Sequence, residues 1–316
     1  MSVFVIPFFG KLNEFSRLSI DTLSNCIEQV VVITDDISFA SSNPNVEVIR
    51  LDLEQVSKIA TKKLNRDICL DSPYKLCDLK PFYGIIFEDF LPASKTICIG
   101  DADCIYSLKL GNIVKNFERE YGEDIAIGGD RGHFMIMTKL FSNRVKELSI
   151  DYFGEELFSK IITSKKNYAF DEFDYLHKML LFFSKNNSVI WLKEIFSSHI
   201  DFSYWERLPL VTGKQVKEIS FSRNVIDIEL EQNVTLSPVY LHIQKRKVKV
   251  NNSRSSDFYI SFNKDGSVCI ADSNSEIPYD KNRISDLSWK ISRVTNRIHA
   301  KIKREKIIRK KSTKNK

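Results

Sequence analysis

The chain is predicted to fold as an α/β protein around an open sheet, and three observations carry that expectation. From Val3 to Leu64, apolar strands alternate with amphipathic helices, the pattern of parallel βαβ units. A wholly apolar segment, 96–100, then runs straight into Asp101-Ala102-Asp103. The composition is that of a globular protein, with 43% hydrophobic and 28% charged among 316 residues, enough for a sizeable core. It contains no apolar run of the roughly 18 residues that a spanning helix needs.

Val3 to Phe9 reads as a buried first strand, with neither the positive n-region nor the cleavage site of a secretory signal. Phe15, Leu18, Ile20, Leu23 and Ile27 then recur at helical spacing, giving a helix over 13–26. Strands follow at 30–34, ending on Asp35 and Asp36, and at 46–51; a helix covers 53–64. Pro81 suits a helical first turn that carries Phe82, Ile85, Ile86 and Phe90 inward. After the aspartate pair come a helix at 110–121, short strands at 125–128 and 133–138, and helices through most of 140–185. Strands are expected at 189–192 and within 216–250, and a hairpin at 258–270 turns at Asp265-Gly266. The organisation expected is a main domain over 1–250, a small hairpin extension over 251–283 and a basic helical tail over 284–316.

The six cysteines form no C-x-x-C pair and read as reduced, mostly buried thiols, which argues against a zinc site. The net charge of +6 belongs to the tail, where 290–316 holds twelve Lys or Arg against Glu305 alone. There Leu287, Ile291, Val294, Ile298 and Ile302 share one face, a pattern that suits an anionic membrane surface, with Trp289 at the interface. Docking on the body of the protein and RNA binding are the competing readings of the tail.

Asp101 and Asp103 open together where a buried strand becomes a loop. Hard carboxylate oxygens placed this way hold a divalent cation, which in turn neutralises a diphosphate. An Asp-x-Asp in a loop is more often structural. Gly100 and the apolar strand before it favour the ligand role.

Six blocks then occur in a telling order: Ile6-Pro-Phe-Phe-Gly-Lys, Ile33-Thr-Asp-Asp, Tyr74-Lys-Leu-Cys-Asp-Leu-Lys-Pro, Asp101-Ala-Asp, Phe170-Asp-Glu and Leu241-His-Ile-Gln-Lys-Arg. Through them, over roughly residues 3 to 250, the chain resembles glycosyltransferases of bacterial surface-polysaccharide (capsule and O-antigen, lipopolysaccharide) clusters, a family long carried as a domain of unknown function. More distantly it is similar to metal-dependent GT-A glycosyltransferases. The resemblance implies a GT-A-like, Rossmann-type nucleotide-diphospho-sugar transferase fold with a mixed central sheet. It also implies a nucleotide-diphosphate sugar donor (UDP-sugar favoured), Mn²⁺ or Mg²⁺, and hexosyl transfer to a glycan or lipid-linked acceptor. Together with the tail it implies a cytoplasmic enzyme, peripheral on the inner face of the cell membrane.

The resemblance also distributes roles. His242 becomes the third metal ligand beside Asp101 and Asp103, against the alternative of a core histidine, and Lys245 meets the phosphates. Asp35 and Asp36 face the base or ribose, or are simply turn residues. Pro7, Phe8 and Gly10 wall the base, with core packing as the rival for Phe8. Lys75, Asp78, Lys80 and Ala102 line the donor; otherwise Asp78 is a helix cap. Asp171 or Glu172 takes the acceptor proton, unless both are the acidic first turn of a helix. His133 is a candidate for the pocket wall beneath Gly132. A non-catalytic nucleotide-binding or scaffold subunit is the main competing function. Nucleic-acid binding is not expected of the body, and a nucleotidyltransferase would carry a glycine-rich phosphate loop that Pro7-Phe-Phe-Gly-Lys is not.

Overall fold

The computed structural model describes residues 1–171, 174–193, 195, 200–201, 216–243, 247–251, 257–262 and 267–272. Glu172, Lys245 and the tail at 284–316 lie outside the described residues.

The chain begins as expected, with β1 (Ser2–Phe8), α1 (Glu14–Ser24), β2 (Gln29–Thr34), β3 (Val46–Arg50) and α2 (Leu53–Leu64). Helix α2 starts where it does because Asp52 and Gln55 cap each other reciprocally, satisfying two orphan amides. Next comes a 3-10 run over Pro73–Phe82 leading into a single turn, α3 (Tyr83–Ile86). Pro81 therefore lies inside that run rather than opening a helix. Ile85 and Phe90 are only half-buried, while Phe82 and Ile86 are in the core. The chain continues through β4 (Thr96–Gly100), β5 (Cys104–Tyr106), α4 (Lys109–Tyr121), β6 (Ala126–Arg131) and β7 (Phe134–Thr138). Three helices follow: α5 (Lys139–Phe153), α6 (Glu155–Thr163) and α7 (Leu176–Lys185). The remaining strands are β8 (Ile190–Leu192), β9 (Ile200–Asp201), β10 (Val216–Ser222), β11 (Val225–Leu230), β12 (Val234–Leu236), β13 (Tyr240–His242), β14 (Val248–Asn251), β15 (Phe258–Phe262) and β16 (Val268–Ala271).

Seven strands form the central sheet in the order β3-β2-β1-β4-β7-β6-β8. Strands β1 to β4 are parallel, and β7 runs against both β4 and β6, so the sheet is mixed, as expected. Alternate residues of β1 serve opposite cores. Val3 and Val5 join the side covered by α2, α3, α5, α6 and α7. Phe4 and Ile6 join the side covered by α1 and α4. Burial on both faces is why these strands read as continuous apolar runs.

The C-terminal strands build a second, six-stranded sheet, β12-β11-β10-β15-β16-β14. Its buried face packs on Phe15 and Leu18 of α1 and on Ile105, Leu241 and Ile243. β15 and β16 do form the expected antiparallel pair, but β15 also pairs with β10. The second sheet thus crosses the boundary drawn at residue 250. All six cysteines are free thiols; Cys98 and Cys104 are buried, Cys69 is exposed, and burial pushes Cys26 and Cys77 up to about 12.

Close approach of α4 to the end of α1 requires Gly111, where a Cβ would stand 2.4 Å from the Cys26 carbonyl oxygen. An alanine in a helix normally gains about 1 kcal/mol over glycine. Gly111→Ala is expected instead to destabilise the protein by about 1–3 kcal/mol through overpacking, read as a lower midpoint in denaturant unfolding.

Candidate metal centre

Every parallel strand of the central sheet delivers its carboxyl end to one edge, the edge where open α/β sheets bind ligands. Strand β4 is buried throughout and ends on Gly100, where a Cβ would stand 2.7 Å from the Phe4 ring. Asp101 and Asp103 emerge immediately after. Their side chains are 29% and 32% exposed, so both are open to a ligand in the short turn between two buried strands.

His242 reaches them through a small three-stranded sheet, β5-β13-β9. β13 runs antiparallel to β5, placing His242 opposite Cys104, and the Ile243 amide donates to the Asp103 carbonyl at 2.9 Å. Tyr240 anchors the strand by packing its ring on Phe134 and Tyr106, at 5.5 and 6.1 Å. The Tyr106 hydroxyl donates to the Asp101 carbonyl oxygen at 2.9 Å. One ligand atom each from Asp101, Asp103 and His242 lies within 4.8 Å of the others. Atoms this close could share one divalent cation, whose remaining positions would fall to other ligands. Two carboxylates and one imidazole are hard enough for Mg²⁺ or Mn²⁺. The residues fit such an ion.

Lys80 lies behind this group with its ammonium 2.8 Å from Asp101, 3.0 Å from the Gly132 carbonyl oxygen and 3.4 Å from Asp171. The contacts with Asp101 and Gly132 are hydrogen bonds, and that with Asp171 is an ion pair. Burial opposes the charge, but Asp101 and then Asp171 more than offset it, so the ammonium is held well above the ordinary lysine range. Asp171 is buried and fits tightly over Gly132, where a Cβ would stand 1.8 Å from its Oδ2. It is not in the first turn of a helix, since α7 starts only at Leu176.

Other expected site residues are placed differently. Lys75 and Asp78 do not line a donor pocket. They are 2% and 0% exposed and paired at 2.7 Å. Lys75 also donates to the carbonyls of Ile161 and Lys166, and Asp78 accepts from the amides of Tyr168 and Phe170. The pair is an internal clamp that fixes the backbone delivering Asp171. Asp36 is likewise committed: Oδ1 accepts from the Ser38 hydroxyl and amide, and Oδ2 from the Leu12 amide. Those bonds, the Ser38 hydroxyl first, hold its carboxyl below the usual range. Asp35 is exposed and accepts from the Gly10 amide at 2.7 Å. Gly10 adopts φ +101°, a left-handed value suited to glycine. Pro7 and Phe8 are half-buried beside it, and Ala102 is buried.

His133 was legible only as a pocket wall. Its ring stacks on His242 with centroids 4.3 Å apart and planes 3° from parallel. The cue was its place directly after Gly129-Asp-Arg-Gly, a turn that brings β7 back to β4.

Residues 4–267 match the model of a family described as a family of unknown function, DUF6625. None of the curated proteins compared with the chain matches it. Among solved structures, the chain is similar to mouse xyloside xylosyltransferase 1 in its apo form, at 11% identity and a TM-score of 0.41, over 67% of this chain and 92% of that one. It is similar to a glycosyltransferase involved in glycosylation of the major capsid of PBCV-1, at 8% identity and 0.40, over 78% and 94%. A third is the galactosyltransferase LgtC in complex with donor and acceptor sugar analogs, at 10% and 0.38, over 77% and 87%.

Breaking the internal clamp leaves one buried charge without its counterpart. Asp78→Ala is expected to cost about 3–5 kcal/mol of stability in chemical denaturation. A variant of unchanged stability that only weakened donor binding would return Asp78 to the donor pocket.

Proposed function

The chain belongs to the family of unknown function DUF6625, and we propose that it is a metal-dependent glycosyltransferase using a nucleotide-diphosphate sugar. The observation that carries this reading is the convergence of Asp101, Asp103 and His242 at the carboxyl edge of the sheet, from strands 139 residues apart in sequence between Asp103 and His242. A bound Mn²⁺ or Mg²⁺ there supplies Lewis acidity and a counter-charge for a departing diphosphate.

The chain's own residues supply the rest. Both oxygens of Asp101 lie within 2.9 Å of the Lys80 ammonium, which restrains the carboxylate's orientation. Lys80 also pairs with Asp171 at 3.4 Å, and Asp171 is itself buried. Enclosed and committed to this lysine, Asp171 serves better to position Lys80 than to deprotonate the acceptor. That proton remains with Glu172 as the candidate. Pro7, Phe8 and Gly10 leave the sheet at the same edge, and Asp35 has a second oxygen with which to accept from a base imide or ribose hydroxyl. This favours a UDP-sugar. Transfer of a hexosyl group to a lipid-linked or growing surface glycan, at the inner face of the membrane, is the context we propose. The basic residues of 290–316 support it, with Lys245 assigned to the phosphates.

Release of nucleoside diphosphate is the test, using a panel of nucleotide-diphosphate sugars with Mn²⁺ or with EDTA. Wild type is expected to turn over one donor only with the metal. Asp103→Asn is expected to lose roughly 10²–10³-fold in rate. Equal rates for wild type and Asp103→Asn, or undiminished turnover in EDTA, would sink the metal reading.

A further inference from the structure

We infer that His133 is a positioning residue: its ring fixes the plane of the His242 imidazole and so preorganises the metal centre. The inference rests on the functional reading above.

A histidine at the end of a short strand has a broad, soft torsion about χ2, so its nitrogens sweep an arc unless something stops the ring. Ligand histidines are usually held by a hydrogen bond from the second nitrogen to a carboxylate or carbonyl. Here a flat partner is in place. The rings of His133 and His242 lie face to face, 4.3 Å apart and 3° from parallel, and both residues are buried, at 7% and 5% exposure. Turning His242 about χ2 would drive its edge into the face of His133.

The partner is itself immobile. His133 meets Tyr240, two residues before His242, edge to face at 5.5 Å. The next residue, Phe134, is wedged between Tyr240 and Phe4 at 5.5 and 5.3 Å. On its other side the Gly132 carbonyl holds Lys80, and the His133 carbonyl lies so close to Gly100 that a Cβ there would stand at 3.0 Å. The β6–β7 turn thus has three contacts around the centre. It seats Asp171, anchors Lys80 and braces His242. His133 does not belong to the ligand set itself, which consists of Asp101, Asp103 and His242 among the described residues.

Two variants that both fill the space separate the flat face from the nitrogen atoms. His133→Phe keeps a planar ring without nitrogens; His133→Leu keeps bulk without a plane. Mn²⁺ affinity of the purified full chain is measured by EPR titration, beside the melting temperature of the metal-free protein. His133→Leu is expected to weaken Mn²⁺ binding about 10–100-fold, the usual cost of losing a partner that orients a ligand. His133→Phe is expected to stay near wild type, with metal-free melting temperatures alike. Unchanged affinity in His133→Leu overturns the inference. So does equal weakening in both variants, which would make a His133 nitrogen the active element. Should His133→Leu not fold, His133→Met, also bulky and without a plane, takes its place with the same two outcomes. A wild type that binds no Mn²⁺ overturns the metal reading and this inference together, whereas normal wild-type binding confines any failure to His133.

Discussion

A buried ammonium is among the more expensive things a fold can contain, and this one is organised around Lys80. Removing such a group from water costs several kcal/mol, recovered only with good geometry on all sides. The acceptors come from three distant places: Asp101 after β4, the Gly132 carbonyl in the β6–β7 turn, and Asp171 before α7. Each explains a neighbour. Gly132 has no side chain because Asp171 occupies that space. The Lys75–Asp78 clamp sits two to five residues before Lys80 in the same run, pinning the 168–170 backbone that presents Asp171. The 3-10 run thus carries two lysines with different duties, one holding a loop and one holding a pair of carboxylates.

The second constraint is the pairing of β5 with β13. It joins the segment just after the aspartates to β13, and with the Ile243 amide bonded to the Asp103 carbonyl it brings His242 beside Asp103. The aromatic group of Phe4, Tyr106, Phe134 and Tyr240 fills the space beneath the pair. The second sheet closes over α1 from the other side through Ile105, Leu241 and Ile243. A strand therefore delivers His242, while Asp101, Asp103 and Asp171 stand in the segments between regular elements.

Much of this was legible because it is local. The first three strands and α2 follow from apolar periodicity and from the Asp52–Gln55 cap. Asp101 and Asp103 announce themselves by following a wholly apolar strand. Asp78 and Asp36 were misleading for a physical reason: a polar residue near a functional block looks the same whether it faces a ligand or a buried backbone amide. Only tertiary contact separates the two. The helix expected from Pro81 became a 3-10 run because its residues serve partners on several sides rather than one stripe. The six-stranded sheet was visible as strands but not as a unit, since the pairing of β10 with β15 spans a gap that periodicity does not report. His133 needed both ends of the chain to be in place before its ring had anything to stack on.

The account reduces to a single position in space, bounded by one oxygen of Asp101, one oxygen of Asp103 and one nitrogen of His242. Anomalous diffraction from crystals soaked in Mn²⁺ with a nucleoside diphosphate examines that position directly. The account predicts a single strong anomalous peak within bonding distance, about 2.0–2.3 Å, of all three side chains, with diphosphate oxygens completing its shell. A diphosphate bound elsewhere, or ordered Asp101 and Asp103 carboxylates with no anomalous density between them, would contradict it.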